Sequence, residues 1–320
     1  MTLRSRLRSL AAPVLCPQYA AMGIANPASR VAVTLSGGGV SVDVTGANVV
    51  TALRPLTIGV LFPSGAPFPA GRAELTFHLR DGGLLLGTIR LKPAQDFDAD
   101  GRVFRMFHTD GSLNACVESG WRPAHMAYQR WVSWRHQRRN PHNFQMTPRD
   151  LQAIFVFYSC PRPVALVSVE HQGRSNVFPM DLIGLDGAPY FSLALRSTSR
   201  ASDLMKASRR IAVAEISHGY RDIAYALGRH HKDPDVDIQS LPFAVVPSAR
   251  FGLPVPQDAL RVREVRVQHV AEIGSHTWFW TTAESEMGTA ASLLARTDTT
   301  LCHVHGCCRR FFQTPGQVAP

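Results

Sequence analysis

The stretch "CPRPVALVSVEHQGRSNVFPMDLIG", Cys160–Gly184, reads as two strands joined by a glycine turn. The apolar run at 164–169 predicts a buried strand, and "EHQGRS" predicts the turn after it. The return strand then meets Pro179, which lacks the N–H that a central strand donates to its neighbour. The pattern therefore predicts that the second strand leaves regular pairing beside Met180 and Asp181.

The composition is that of a globular protein. The 320 residues are 45% hydrophobic and 18% charged, which is enough chain for two domains with their own cores. No stretch approaches the roughly 20 apolar residues of a membrane-spanning helix, so we expect no membrane partner. The net charge of +10 attracts anions such as nucleotide cofactors, nucleic acid and anionic lipid, and charge alone does not choose among them.

Three regions follow from the pattern along the chain. Residues 1–30, rich in Arg, Ser and Ala at their start, are predicted to be a disordered N-terminus. Residues 31–148 are predicted to form a β-rich domain, because "VSVDVTG" alternates and "RDGG" separates two strand-like runs. The prolines of "RRNPHNFQMTPRD" place a boundary near 147–150, so residues 149–320 form the second domain.

The segment Ser119–Arg149 contains no acidic residue and interleaves arginines with Trp121, Trp131 and Trp134. One interpretation is a surface for nucleic acid or phosphate. The other is an interdomain helix that buries its tryptophans and keeps its arginines in water. The helical spacing favours the second interpretation, so nucleic acid is not the expected partner.

An anion site is indicated at "RSTSRASDLMKASRR", residues 196–210. The strand-like "YFSLAL" runs into a helix whose apolar positions have helical spacing and whose N-cap is Ser199. Unpaired N–H groups and the helix dipole favour anions at such an entry, and Arg196 and Arg200 add positive charge. The alternative is an ordinarily capped helix with surface arginines, and the segment alone leaves both open.

Taken in order, these motifs resemble the flavin reductase-like, FMN-binding split-barrel family. The resemblance covers residues 149–312, about half of the chain. It is carried by "RPVALVSV", "SNVFPMDLIG", "PYFSLALRSTSRASDLMKASRRIAVAEI", "FGLPVPQDALRVREVRVQHVAEIGSHTWFWTTAE" and "LCHVHGCCRRFF". It implies a mainly β fold with a few helices, a split barrel preceded by a smaller β-rich domain.

The resemblance also implies the positions of the site residues. The flavin ring would face the segment that contains Asn176, Pro179, Met180, Asp181 and Leu182. The FMN phosphate would lie against Ser197, Thr198, Ser199 and Arg200, where the anion site was read independently. His276, in an "IGSH" similar to a Gly-Asp-His motif of the family, would be the catalytic residue, although Ser275 replaces the aspartate that orients it.

The function implied is an NAD(P)H-dependent flavin oxidoreductase that transfers a hydride to N5 of FMN. Its partners would be flavin and nicotinamide nucleotides, a second copy of the chain as a homodimer, and a monooxygenase that takes up reduced flavin; its location would be cytoplasmic. Two alternatives stay open. One is an FMN oxidoreductase whose N-terminal domain selects its own substrate, and the other is a non-catalytic module that binds flavin or nucleic acid.

The six cysteines are scattered through a long chain, so no disulfide framework is implied and a reducing compartment is expected. The C-terminal "CHVHGCC" is rich in metal-ligand types. On an extended strand, however, His303, His305 and Cys307 would share one face and Cys302 and Cys308 the other. The spacing is unlike that of zinc sites, and no metal site is predicted.

Overall fold

The computed structural model describes residues 15–63, 65–99, 101–139, 146–187, 189–288 and 299–313. The fold is mainly β, with the strands gathered into two seven-stranded antiparallel sheets, which we call the N-terminal and C-terminal lobes. The strands up to the end of the N-terminal lobe are β1 Tyr19–Ile24, β2 Val31–Gly37, β3 Val40–Asp43, β4 Asn48–Leu53, β5 Leu56–Phe62, β6 Ala73–Leu79, β7 Leu85–Ala99 and β8 Arg102–Asn114.

The later strands are β9 Arg162–Pro163, β10 Ala165–His171, β11 Arg174–Met180, β12 Ile183–Gly187, β13 Tyr190–Arg196, β14 Arg210–Glu215, β15 Val245–Pro247, β16 Pro254–Pro256, β17 Arg261–Ile273, β18 His276–Met287 and β19 Thr300–His305. The helices are α1 Arg122–Arg139, α2 Pro148–Phe157, α3 Arg200–Ser208 and α4 Arg221–Leu227. The C-terminal sheet, β10–β14 with β17 and β18, curls into a half-barrel.

Both lobes have the same strand order. The N-terminal sheet runs β3-β2-β6-β7-β8-β5-β4, and the C-terminal sheet runs β11-β10-β14-β17-β18-β13-β12. Numbered within each lobe, both orders are 2-1-5-6-7-4-3. The fourth and fifth strands are joined through α3 in the C-terminal lobe, whereas the described residues between β5 and β6 contain no helix. The chain is therefore a structural repeat of which only one copy carries the helix of the predicted phosphate site.

The strand pair of the opening stretch differs from the prediction. β11 pairs regularly with β10 along its whole length, and Pro179 lies opposite Leu166 within the pair. The proline is accommodated because β11 is the edge strand of its sheet, where no further neighbour needs a donor. The turn itself is as predicted, since Gln172 and Gly173 have the positive φ angles of 51° and 75° that suit a tight hairpin.

The predicted disordered N-terminus contains a strand. Within residues 1–30, β1 pairs antiparallel with β19, and β19 also pairs with β9. The remainder of that region, residues 1–14, lies outside the described residues. The small sheet β1-β19-β9 therefore joins both ends of the described chain to the start of the C-terminal lobe.

The two lobes share buried side chains. Trp278 of β18 is fully buried and stacks on Phe104 of β8, with ring centroids 4.7 Å apart. Val49 and Ala52 of β4 belong to the same apolar cluster as Trp280. Helix α2, which precedes the C-terminal lobe in sequence, packs mainly against β8 and buries its apolar face there. The two lobes thus share buried side chains, and α2, which the sequence assigns to the second domain, packs on the N-terminal lobe.

Helix α1 forms as predicted, but its tryptophans do not enter a core. Trp131 and Trp134 are exposed and carry the guanidinium groups of Arg135 and Arg138 over their rings. The buried face is polar, with His125 and Gln129 one turn apart, so the inward positions are not the apolar ones that we expected. In the described parts of the chain, no helix has the combination of length and apolar character needed to cross a membrane.

The cysteines also depart from expectation. The structure pairs Cys16 with Cys307 and Cys116 with Cys308 as disulfides, although their wide sequence separation indicated none. Cys160 and Cys302 are buried as free thiols. β1 and α1 carry residues from distant parts of the chain to the C-terminal end, which sequence spacing alone does not reveal.

Candidate functional site

The predicted phosphate segment connects a strand to a helix. β13 ends at Arg196, and Ser197, Thr198 and Ser199 lead into α3. The N–H of Ser197 donates to the carbonyl of Ser275 over 3.2 Å, which fixes the start of the segment. Thr198 is exposed, and so is the side chain of Arg200, whose guanidinium lies 3.9 Å from the carboxylate of Asp203. The segment thus presents a hydroxyl and a guanidinium to solvent at a helix N-terminus.

Ser199 occupies the N-cap position but does not cap the helix with its side chain. Its hydroxyl donates to the carbonyl of His231 instead. In the first turn, the hydroxyl of Ser202 is fully buried and has no hydrogen-bond partner among the described residues. The side chain of Ser199 therefore does not accept from the backbone N–H groups at the start of α3. The interpretation of this segment as an ordinarily capped helix required such a hydrogen bond.

A cavity of about 380 Å³ lies beside this helix. Its lining combines two guanidinium groups with one carboxylate and apolar positions of α3, namely Arg174, Arg200, Asp203, Leu204, Ala207 and Pro234. Of the predicted site residues, only Arg200 contributes to it. The cavity places a second arginine, from the β10–β11 turn, near the predicted phosphate segment.

The predicted ring segment is divided between several environments. Asn176 is fully buried, and its side-chain amide donates to the carbonyls of His230 and Asp233, each over 2.9 Å. Its Oδ1 has no hydrogen-bond partner among the described residues. Met180 packs inside the C-terminal half-barrel, and Leu182 packs with the core of the N-terminal lobe.

Asp181 is the centre of a polar cluster that sequence reasoning missed. Its Oδ2 accepts a hydrogen bond from the hydroxyl of Tyr158 and contacts Nδ1 of His303, each over 2.7 Å. Tyr225 lies 3.3 Å from the other ring nitrogen of His303, and the Tyr19 ring packs 4.6 Å from that of Tyr158. Burial alone would raise the pKa of Asp181, but the hydrogen bonds from His303 and Tyr158 lower it below its ordinary value.

The signal for this cluster was present in part. The sequence predicts an extended strand at "CHVHGCC", and this strand, β19, brings His303 to Asp181. Tyr158 follows α2 and Tyr19 begins β1, so neither lies near Asp181 in sequence. The half-buried, charged carboxylate of Asp181 raises the pKa of Tyr158, after the larger effect of that tyrosine's own burial.

His276 begins β18, the strand start that its motif predicted. It is 1% exposed, enclosed between the C-terminal lobe and β4. Its Nδ1 lies 2.8 Å from Oγ of Ser275 and 3.5 Å from the N–H of Leu53, and the N–H of Arg54 donates to the same Oγ over 3.0 Å. Ser275 therefore takes over the orienting position of the family's aspartate.

These contacts fix the tautomer of His276. Because the N–H of Leu53 donates to Nδ1 of His276, Nδ1 carries no proton, and the hydroxyl of Ser275 donates to it while its Oγ accepts from Arg54. Nδ1 is then an acceptor and the neutral ring carries its proton on Nε2. Burial, followed by the positive charge of Arg196, lowers the pKa of His276 to about 4. The imidazole is therefore neutral at physiological pH.

The structure brings Leu182 of the ring segment, the phosphate segment and His276 together around β13, whereas Asn176, Pro179 and Met180 lie on β11 at the opposite edge of the sheet. The carbonyl of Leu182 accepts from the N–H of Ala194 over 3.0 Å, which joins the ring segment to β13. Arg196, at the end of β13, lies opposite His276 in the strand pair. Because Ser197 also bonds to Ser275, the phosphate segment and the histidine turn meet at one corner of the sheet.

Comparison with known proteins identifies a family for part of the chain. Residues 157–285 match the model of a family described as "Flavin reductase like domain". The C-terminal half of the chain therefore contains a flavin reductase-like domain, and the protein is an oxidoreductase. No curated protein matches the chain.

Three solved structures illustrate its distant similarities. An FMN-binding protein from Thermus thermophilus with bound p-hydroxybenzaldehyde is 22% identical, with a TM-score of 0.39 over 46% of this chain and 82% of that one. An NADH:FAD oxidoreductase from Streptomyces globisporus is 19% identical, with a TM-score of 0.43 over 52% and 95%. The flavin reductase of a styrene monooxygenase from Pseudomonas putida S12 is 21% identical, with a TM-score of 0.34 over 41% and 82%.

Proposed function

We propose that the protein is an FMN-dependent oxidoreductase that reduces flavin with NAD(P)H. One observation carries the proposal: Leu182 of the ring segment, the phosphate segment and His276 meet at β13, through the Leu182–Ala194 and Ser197–Ser275 backbone hydrogen bonds. The β12–β13 hairpin connects Leu182 to the phosphate segment, whereas His276 is distant in sequence and reaches them through the pairing of β18 with β13.

The residues at this corner have the chemistry that FMN requires. The start of α3 offers backbone N–H donors, an exposed hydroxyl and an exposed guanidinium. A guanidinium can bind phosphate through two parallel hydrogen bonds. The buried Oδ1 of Asn176 and Oγ of Ser202 lack hydrogen-bond partners among the described residues, which is the state expected of polar atoms that await a ligand. We assign Ser197, Thr198, Ser199 and Arg200 to the phosphate, and Asn176, Pro179, Met180, Asp181 and Leu182 to the ring.

When bound, FMN supplies a ring that accepts a hydride and carries negative charge once reduced. The chain supplies position and electrostatics. Arg196 and Arg200 place positive charge at one end of the site. His276 holds a proton on Nε2 while Nδ1 is fixed by Ser275 and Leu53, so the ring is a stationary donor. Asp181, kept ionised by Tyr158 and His303, fixes the loop between β11 and β12.

The N-terminal lobe supplies part of the surroundings of this corner. The Leu53 and Arg54 amides bond to the histidine turn, and Gly184 of β12 lies against Val49. This contact favours a second candidate function, in which the N-terminal lobe shapes the site for a substrate other than free flavin. The two candidates differ in the electron acceptor: one releases reduced FMN, and the other keeps FMN bound through turnover.

The packing of two similar lobes also bears on the predicted homodimer. In the flavin reductase-like family that the motifs resemble, the flavin site forms between two copies of the barrel. In this chain, β4 of the N-terminal lobe packs against β12, β13 and β18 of the C-terminal lobe. We propose that one chain completes one flavin site, with the N-terminal lobe in the place of a second barrel. Light scattering of the flavin-loaded protein distinguishes one chain from two.

The experiment that tests the proposed function separates binding from reduction. His276→Ala should retain FMN in a fluorescence titration and slow its reduction in a stopped-flow experiment with NADH or NADPH. Thr282→Ala, on the same strand but away from the turn, serves as the control. Reduction at the wild-type rate would remove His276 from the reaction, and equal losses of affinity and rate would assign it to the flavin pocket.

A further inference from the structure

Four metal-ligand side chains meet outside the proposed flavin site. The ligand atoms of Cys16, His125, His305 and Cys307 all lie within 4.8 Å of one another. Cys16 precedes β1, and His125 is on the inward face of α1. His305 is the last residue of β19, and Cys307 lies two residues beyond it. Cys16, His125 and His305 are buried, and Cys307 is half-buried.

The distances from His125 to the two sulfurs are those of a tetrahedral metal site, although the sulfurs themselves are joined as a disulfide in this structure. Nδ1 of His125 lies 3.7 Å from the sulfur of Cys16 and 3.9 Å from the sulfur of Cys307. With Zn–S bonds of about 2.3 Å and Zn–N bonds of about 2.0–2.1 Å, a nitrogen and a sulfur on a tetrahedral zinc ion are about 3.6 Å apart. The histidine is therefore already placed at the separation that a shared zinc ion imposes.

His305 adds an independent observation. Its Nδ1 lies 3.0 Å from the carbonyl of Gln18, which can only accept, so Nδ1 carries the proton. Nε2 is then an acceptor; it is completely buried and has no hydrogen-bond partner among the described residues. A histidine that donates one ring N–H to a backbone carbonyl and offers the other nitrogen is arranged as zinc ligands usually are.

We propose that Cys16, His125, His305 and Cys307 bind a zinc ion when both thiols are reduced. Two cysteines and two histidines with no position left for water form a structural site rather than a catalytic one. The sequence pattern concealed it, because β19 ends at His305 and the chain turns before Cys307. The strand alternation that argued against zinc therefore does not apply, and the other two ligands lie far away in sequence.

The zinc site and the Cys16–Cys307 disulfide are alternatives. A dithiol reductant supplies two electrons and two protons to the S–S bond, becomes a disulfide itself, and leaves two protein thiols. Each thiol then loses its proton when it binds zinc, so that zinc binding releases two protons. In the reducing compartment that the sequence predicts, the zinc form is the one we expect.

The site would connect the first and last described parts of the chain. Gln129, one turn after His125 on α1, donates to the backbone carbonyl of Cys16 over 2.8 Å. Zinc would add a second connection between the start of β1, the end of β19 and α1. Because β1 also carries Tyr19 onto the ring of Tyr158, the site would stabilise the wall beside Asp181 without contacting flavin.

The test uses the full chain, purified with a dithiol reductant and without added metal. We expect one zinc ion per chain by elemental mass spectrometry. A chelator should remove it and lower the melting temperature. Cobalt, added to the stripped protein, should give the visible bands of a tetrahedral site with thiolate charge transfer. A chain with six free thiols that holds neither zinc nor cobalt would overturn the proposal, as would a Cys16–Cys307 disulfide that survives the reductant.

Variants identify the ligands. His305→Ala and Cys16→Ser should reduce the zinc content from one per chain to none. Cys116→Ser and Cys302→Ala, which change cysteines outside the four, should retain it. Loss of zinc from Cys116→Ser alone would refute the ligand set. If His305→Ala fails to fold by circular dichroism, the cobalt spectrum of the wild-type chain decides, since an octahedral spectrum without thiolate bands contradicts the site.

Discussion

Acid should destabilise this protein through His276. The folded state holds the ring neutral down to about pH 4, whereas the ordinary histidine pKa of 6.5 applies once the chain unfolds. Between these two pH values the histidine binds a proton in the unfolded state but not in the folded state. The contribution of His276 to the free energy of unfolding is therefore fully present above pH 6.5 and is lost as the pH falls towards 4. The difference between the two pKa values predicts a loss of about 2 kcal/mol between pH 7 and pH 5.

The matched comparison is His276→Asn. The amide oxygen can accept the N–H of Leu53 as Nδ1 does, but it does not titrate. Urea unfolding at pH 7, 6 and 5, followed by tryptophan fluorescence, gives the free energy of unfolding of both proteins. Carboxylates and other histidines titrate in both chains and cancel. We expect the wild type to lose about 2 kcal/mol more than the variant; equal losses would refute the buried neutral imidazole.

Three further outcomes follow from the site. Arg200→Ala should weaken FMN about ten- to a hundredfold and leave riboflavin nearly unchanged in fluorescence titrations; equal losses would remove Arg200 from the phosphate. Asp181→Asn should lower the free energy of unfolding by about 1.5–3 kcal/mol, because its two charge-assisted partners weaken; an unchanged urea midpoint would contradict this. Gly274→Ala should destabilise more than Gly173→Ala, since both positions have positive φ but only a Cβ at 274 meets the carbonyl of Arg54.

Local pattern was enough to predict the elements of the C-terminal lobe. The strand before the glycine turn, the helix after Ser199 and the strand start at His276 depend on short-range periodicity and on turn chemistry, and they stand where the sequence placed them. The flavin reductase-like class followed from the order of these motifs. The sequence pattern did not predict the pairing of the strands. Whether Pro179 interrupts its strand depends on whether that strand lies at the edge of the sheet, which the local sequence does not show.

The shared strand order of the two lobes could not be predicted from local sequence patterns. It is a property of long-range pairing, which such patterns do not specify. The Asp181 cluster and the four-ligand cluster are invisible for the same reason, since each joins side chains more than a hundred residues apart. Helix α1 misled us because its buried face is polar and its exposed face aromatic, the reverse of the usual arrangement.

The central claim is that the corner around β13 holds a flavin that NAD(P)H reduces. The most direct measurement is the visible absorption spectrum of the full chain, loaded with FMN, freed of unbound flavin and mixed with NADH or NADPH without oxygen. We predict one flavin per chain and bleaching of its long-wavelength band by at least one of the two nucleotides. A protein that retains no flavin, or retains it unbleached by both, would contradict the account.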